Sequence, residues 1–421
     1  MKRPLLILAI LSLLAVSSVP ALGAGHCMDE LGCVEVGPDD PIVVGAMLTV
    51  SGAVSLYGED TRGGIELALL ARDEMLLGRE IKLVIEDDLC TAEGGQSAAQ
   101  RITADETIVG IIGPTCSSAA QGAMSIVSDA GMLTISPTNT SPILTNDDVE
   151  SGGIHRPGYF RTIPNDIFQG TMVGQFVAQV LQADTLATVH DGGTYAEELS
   201  GIVADTFAQM GGQIVFEGAV SVGDTDMSAI LTEIAAASPD VVFFPLFPPE
   251  SEFFAAQLKR TPGLQDTTMV SADSSFVASF PKNTGDAAVG IFISGPSVTG
   301  EAYEAFLVAW DEEYGGEPPS GFHAHAYDAA NLLLDAVEAV AQQAEDGSLI
   351  IGRQALRDAV SSVDAYPGLT GELTCQDESP FAGDCASSTG LAVFKITEAV
   401  VDGDLWPPPT VWDLSMVIME D

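Results

Sequence analysis

Val109-Gly-Ile-Ile-Gly-Pro-Thr-Cys-Ser-Ser-Ala-Ala-Gln-Gly-Ala-Met-Ser-Ile-Val127 reads as a strand, a tight turn and a helix. The apolar run ending at Gly113-Pro114 fits a buried parallel strand, and 119–127 fits a helix that opens at 115–118. The turn leaves unpaired backbone N–H groups and the hydroxyls of Ser117 and Ser118 at a positive helix end, which suits a small anion such as a carboxylate. It lacks the Gly-Lys-Ser of a nucleotide loop, so no phosphate is expected there. A serine at this place also serves as an ordinary helix cap, and the stretch alone leaves both readings open.

Outward from this stretch the same alternation repeats. Upstream lie a strand at 42–48, a small-residue loop at 49–58, a helix at 65–74, a strand at 81–87 and a helix at 93–105. Downstream, 132–136 makes a fourth strand, broken by Pro137. A second series follows from Arg161: helices at 169–181, 195–210, 227–237 and 252–260 alternate with strands at 186–190, 213–216, 241–244, 268–270 and 288–293. Further helices are expected at 301–314 and 325–342. Strand and helix in strict alternation imply doubly wound parallel sheets, and two such series imply two similar α/β domains. A chain of 421 residues with 46% hydrophobic content can fill both.

Fifteen basic and 60 acidic residues leave a net charge of −45, which repels nucleic acid and anionic membrane surfaces. The acids are spread along the chain, as on a solvated surface adapted to salty surroundings. The melting temperature should therefore rise between about 0.1 M and 1 M salt, where the screening length shrinks from about 10 Å to about 3 Å. A stability maximum at low ionic strength would contradict this.

Met1-Lys2-Arg3, an apolar run and the small residues around Gly23 and Ala24 have the three parts of a secretory signal peptide, assigned to 1–24. No later stretch reaches the about 18 apolar residues of a membrane span, so the mature chain is expected to be exported and not membrane-spanning. An acidic, loop-like lead at 25–41 follows. Six cysteines in an exported chain favour disulfides, and none has zinc-finger spacing; no metal or cofactor is expected.

In open parallel sheets small ligands sit beyond the carboxyl ends of strands. The loops there are 51–57, 115–118, 136–141, 191–195 and 271–276. They offer the hydroxyls of Ser117, Ser118, Thr138 and Thr140, the rings of Tyr57, Tyr195 and Phe276, and a lone carboxylate, Asp273. Hydroxyls and helix N–H groups match a carboxylate, an aspartate matches an ammonium, and aromatics match an apolar body. Together they describe an α-amino acid. Catalysis is not expected, because Ser117 has no histidine nearby in sequence and the chain lacks a Gly-x-Ser-x-Gly elbow. His323 and His325 are two apart, which points them to different sides of a helix and against a metal pair.

The series Val44-Gly-Ala-Met-Leu-Thr-Val-Ser-Gly52 with Tyr57-Gly58, Glu86-Asp-Asp-Leu-Cys90, Ile112-Gly-Pro-Thr-Cys-Ser-Ser118, Ile135-Ser-Pro-Thr-Asn-Thr140, Phe160-Arg-Thr162, His190-Asp191 with Tyr195, and Asp286-Ala-Ala-Val-Gly290 resembles the substrate-binding proteins of branched-chain amino-acid ABC transporters. The likeness, to the leucine/isoleucine/valine-binding type within the type I periplasmic-binding fold, runs from about 42 to 394. It implies an α/β protein of two Rossmann-like lobes, 42–161 plus 295–365 and 162–294 plus 366–421. Three strands near Arg161, Ser294 and Tyr366 would form the hinge. It further implies that Ser117 and Thr140 receive a ligand carboxylate, that Thr140, the Thr138 carbonyl and Asp273 receive an ammonium, and that Tyr195 closes over the ligand. Tyr57 takes the place of an aromatic wall. Phe247, inside the Pro-rich Pro245-Leu-Phe-Pro-Pro249, stands where some members carry Tyr. Proximity and the resemblance together pair Cys27 with Cys33, Cys90 with Cys116, and Cys375 with Cys385. The implied partner is an ABC permease and the implied state a monomer. A receptor module, or a ligand such as an amide, urea or aromatic acid, are the alternatives.

Overall fold

The structure, a computed structural model, describes residues 27–376, 381–386 and 390–413; the expected signal peptide lies outside them. The first lobe is built on a six-stranded sheet in the order Met75–Leu76, Arg79–Asp87, Ile42–Leu48, Ile108–Ile112, Thr134–Ser136, Tyr159–Arg161. All neighbours are parallel except the Met75–Leu76 edge. Every residue of Ile42–Leu48 is buried, as a central parallel strand covered on both faces requires. Its side chains alternate between two cores. Val44, Ala46 and Leu48 pack with Ile65, Leu333 and Val337, whereas Val43 and Met47 pack with Ala98, Ile102 and Ala123.

The helices Ala92–Thr103 and Ser117–Asp129 touch almost backbone to backbone. A Cβ at Gly95 would lie 2.1 Å from the Ala119 carbonyl oxygen, and one at Gly122 would lie 2.0 Å from that of Ala92. This close approach fixes where the second helix begins, and with it the Ser117 turn.

The second lobe carries seven strands in the order Thr410–Asp413, Leu391–Lys395, Phe292–Pro296, Thr268–Ser271, Val241–Phe243, Thr185–His190, Gln213–Ala219. The last five run parallel; Leu391–Lys395 is antiparallel to Phe292–Pro296 and to Thr410–Asp413. No described helix is long and apolar enough to cross a membrane.

Several expectations are corrected. The helix expected at 65–74 begins at Ser55, so Tyr57 lies on a helix and not in a loop. Gly58, Gly63 and Gly64 dilute its periodicity, yet a Cβ at Gly58 would sit 2.0 Å from the Thr49 carbonyl oxygen and one at Gly64 2.1 Å from that of His323. The strand expected at 288–293 forms at Phe292–Pro296, after a turn of 3-10 helix at Gly285–Ala288. The lead at 25–41 contains a strand, Cys33–Val36, paired antiparallel with Leu349–Gly352.

The third crossing is not near Tyr366. Tyr366, Leu373, Cys375 and Cys385 pack into the first lobe's core, and the Tyr366 hydroxyl donates to Asp335 at 2.7 Å. The chain joins the second sheet only at Leu391, so the passage follows Cys385. All three expected disulfides are present. Cys375–Cys385 stands at a crossing rather than on a late loop: the Cys385 N–H donates to the Arg161 carbonyl at 3.0 Å, and the Arg161 N–H donates to that of Gly383 at 2.9 Å.

The helix His323–Val340 meets the first crossing through a reciprocal pair. Thr162 Oγ1 donates to the His325 carbonyl at 2.8 Å, and His325 Nδ1 lies 2.7 Å from the Thr162 carbonyl, which makes that nitrogen the protonated one. Burial pushes the His325 imidazole down to about 4 from its usual 6.5. An unfolded chain takes up a proton there below about 6.5 and the folded chain does not until about 4, so this group's stabilisation is complete above 6.5 and is lost as the pH falls toward 4. The loss should be about 3 kcal/mol. Between pH 7 and 4 the fall in stability measured by urea denaturation should be smaller by about that amount in His325→Phe than in the native chain, and equal falls would refute it.

Candidate functional site

Two loops and a helix of the first lobe and three segments of the second converge on one small cavity. Its walls include Tyr57, Thr115, Ser117 and Thr138 from one side and Tyr195, Phe247, Asp273 and Ser274 from the other, with Phe322 at the back.

The anion end is built by the 113–118 turn. Ser117 is the first residue of the helix Ser117–Asp129, whose amino end faces the cavity. Buried Asp88 braces this turn, accepting the Thr115 N–H at 2.7 Å, the Cys90 N–H at 3.0 Å and the Thr49 hydroxyl. The Cys90–Cys116 disulfide joins the same two segments covalently. Thr138 Oγ1 donates to the Thr115 carbonyl at 2.6 Å, tying the second loop to the first. Thr140 is buried behind the cavity wall, its carbonyl accepting the Asp166 N–H at 2.9 Å. Ser118 does not reach the cavity. It stands at the rim, where a Cβ on Gly193 of the opposite lobe would lie 3.5 Å from its Oγ.

The cation end is Asp273, buried in the Asp273–Ser275 turn that follows the Thr268–Ser271 strand. One carboxylate oxygen accepts from Tyr195 Oη at 2.6 Å and from Gln169 Nε2 at 2.7 Å. Burial raises the acid above its usual range, and these two hydrogen bonds partly offset it. Asp166 is also fully buried; desolvation, reinforced by the charge of Asp273, pushes it well up. Asp273 thus presents the cavity with a buried acid whose charged form a bound cation stabilises.

An aromatic cage supplies the apolar wall. Phe247 sits between Tyr57 (centroids 5.9 Å apart, 85°) and Tyr195 (5.5 Å), and Tyr57 also meets Phe322 edge-on at 6.0 Å. Tyr57 Oη donates across the cleft to the Ser274 carbonyl. At the rim Thr194 Oγ1 donates to Gln121 at 2.8 Å and Ser141 Oγ to Glu198 at 2.5 Å, again from lobe to lobe. The enclosed space is about 20 Å³, on the scale of one water molecule.

Of the eight residues picked from sequence, the structure brings Tyr57, Ser117, Thr138, Tyr195, Phe247 and Asp273 around one cavity and leaves Thr140 behind it and Ser118 at its edge. Gln169 and Phe322 were missed. Gln169 is on the Asp166–Gln175 helix, with nothing in its sequence neighbourhood to mark it, and Phe322 precedes the His323–Val340 helix as an ordinary apolar residue. Phe276, picked as a loop aromatic, instead packs on Phe394 and Trp406.

Residues 41–387 match the family described as periplasmic binding protein. The chain belongs to that family. This periplasmic binding protein is 27% identical over 344 residues to the Leu/Ile/Val-binding protein BraC3 of Rhizobium johnstonii, covering 80% of this chain and 90% of the relative. It is 28% identical over 301 residues to a leucine-, isoleucine-, valine-, threonine- and alanine-binding protein of Pseudomonas aeruginosa, covering 69% and 72%. Among solved structures it resembles a branched-chain amino acid transporter substrate-binding protein of Streptococcus pneumoniae in complex with isoleucine, with a TM-score of 0.72, 22% identity, and coverage of 89% and 100%. A Rhodopseudomonas palustris solute-binding protein in complex with benzoate superimposes with a TM-score of 0.71, 20% identity, and coverage of 90% and 99%. The fold of two α/β lobes joined by connecting strands is that of type I periplasmic binding proteins. Such proteins bind solutes and do not transform them. The two histidines are engaged structurally, His323 with Asp60 and Tyr303, His325 with Thr162.

Proposed function

We propose that this periplasmic binding protein captures an α-amino acid with a small aliphatic side chain between its lobes and delivers it, outside the cytoplasm, to an ABC permease. The observation that carries the reading is the pairing of opposites across one cavity. Ser117 and its helix amino end, which attract a carboxylate, face Asp273, which attracts an ammonium. The Tyr57, Phe247 and Phe322 rings form an apolar wall against which the side chain packs once the parted lobes admit it. Entry requires the lobes to part about their three crossings, and a ligand touching both lobes favours the closed arrangement. The names of the relatives at 27% and 28% identity agree with this choice.

A thermal-shift screen of the mature chain tests it. At 100 times its dissociation constant a ligand adds about 2.7 kcal/mol, which raises the melting temperature by a few degrees in a chain of this size. Leucine, isoleucine or valine should give that shift, and benzoate, urea and acetamide should not. A shift with benzoate and none with any amino acid would reject the proposal.

A further inference from the structure

A second cavity, about 230 Å³, lies between the lobes and apart from the cleft. One wall is the second lobe's aromatic stack, in which Phe276 lies 4.7 Å from Phe394 and 5.5 Å from Trp406, centroid to centroid. The other belongs to the first lobe, where Tyr303 stacks on His323 at 5.7 Å. A thin partition separates this space from the cleft: Ser320 Oγ donates to the Phe276 carbonyl at 2.9 Å, and consecutive residues Phe322 and His323 face the cleft and the second cavity respectively. The polar lining is the exposed acid Glu317 and the Tyr303 hydroxyl, which pairs with His323 Nε2 at 2.8 Å.

We propose that this cavity is a second ligand site, for a molecule with one aromatic ring and a positively charged group. A cavity of about 150 Å³ holds benzene, so this one has room for a ring and a short substituent. Aromatic residues on both walls offer a bound ring edge-on or offset-stacked contact. Glu317, in a chain with a net charge of −45, selects a cation over an anion at the mouth. The proposal does not depend on what the cleft binds.

Isothermal titration of the mature chain with benzylamine, benzyl alcohol and benzoate tests it. Benzylamine should bind saturably at one site, at least tenfold more tightly than benzoate, and equally well to Asp273→Ala, which alters the cleft only. Val298→Trp, which fills the second cavity from the connection after the Phe292–Pro296 strand, should abolish benzylamine binding while the chain keeps a cooperative thermal transition. Glu317→Gln, an exposed change that does not threaten folding, should erase the preference for benzylamine over benzyl alcohol. Absence of saturable binding, survival of binding in Val298→Trp, an unchanged preference in Glu317→Gln, or loss in Asp273→Ala would each overturn the assignment.

Discussion

Asp273→Ala should lose affinity for the amino acid by roughly a hundred- to a few-thousand-fold. Removing one partner of a buried charge pair costs about 3–5 kcal/mol, because the remaining charge is left without compensation, and each 1.4 kcal/mol or so is a factor of ten in binding. Here the stranded group is the ligand ammonium, held in a cavity whose other walls are aromatic rings and neutral hydroxyls. Tyr195→Phe deletes only one of the two hydrogen bonds that hold the same carboxylate and should cost about 1 kcal/mol in affinity. Titration calorimetry with leucine separates the two variants, and equal losses would mean that Asp273 acts through Tyr195 rather than on the ligand. Since burial raises the Asp273 acid, binding should also weaken as the pH falls and its carboxylate protonates.

Arg161→Met should lower global stability by about 3–5 kcal/mol, as breaking a buried charge pair does. Its side chain is fully buried at the first crossing. It donates to Asp384 at 2.5 Å, to the carbonyls of Asn139 at 3.1 Å and Ser141 at 2.8 Å, and to Thr145 Oγ1 at 2.6 Å. Methionine fills similar space but returns none of these bonds. Asn165 still donates to Asp384 at 2.6 Å, which limits but does not cancel the loss. Urea denaturation reads the effect directly; a change below about 1 kcal/mol would show that solvent reaches these groups when the guanidinium is gone. Because two of the four acceptors lie on the loop that carries Thr138 and Thr140, leucine binding should weaken as well.

Much of this organisation was legible in the residues. Apolar runs such as Ile42–Leu48 and Ile108–Ile112 can only be central strands, and the loops that follow them had to cluster at one end of the sheet. That rule alone brought Ser117, Thr138, Tyr195 and Asp273 onto the same short list. What periodicity hid were contacts made at long range. The glycines of Ser55–Leu70 look like loop residues until the Thr49 and His323 carbonyls are seen against them. Gln169 is one polar residue on a helix, and only folding reveals that it faces Asp273 from 104 positions away. The hairpin at Tyr366–Gly368 and Gly371–Leu373 resembles a connection in sequence, yet its tyrosine and leucine find the first lobe's core before the chain passes over.

The hydroxyl that Tyr57 extends to the Ser274 carbonyl gives the shut clamshell an adhesion of its own. Lobes that cohere without cargo present the permease with a counterfeit of the loaded form, and they also keep the doorway shut against an incoming solute. Apparent affinity is the intrinsic value scaled by the fraction of molecules ajar. A phenylalanine at position 57 would therefore trade a weaker grip for quicker capture and fewer false deliveries.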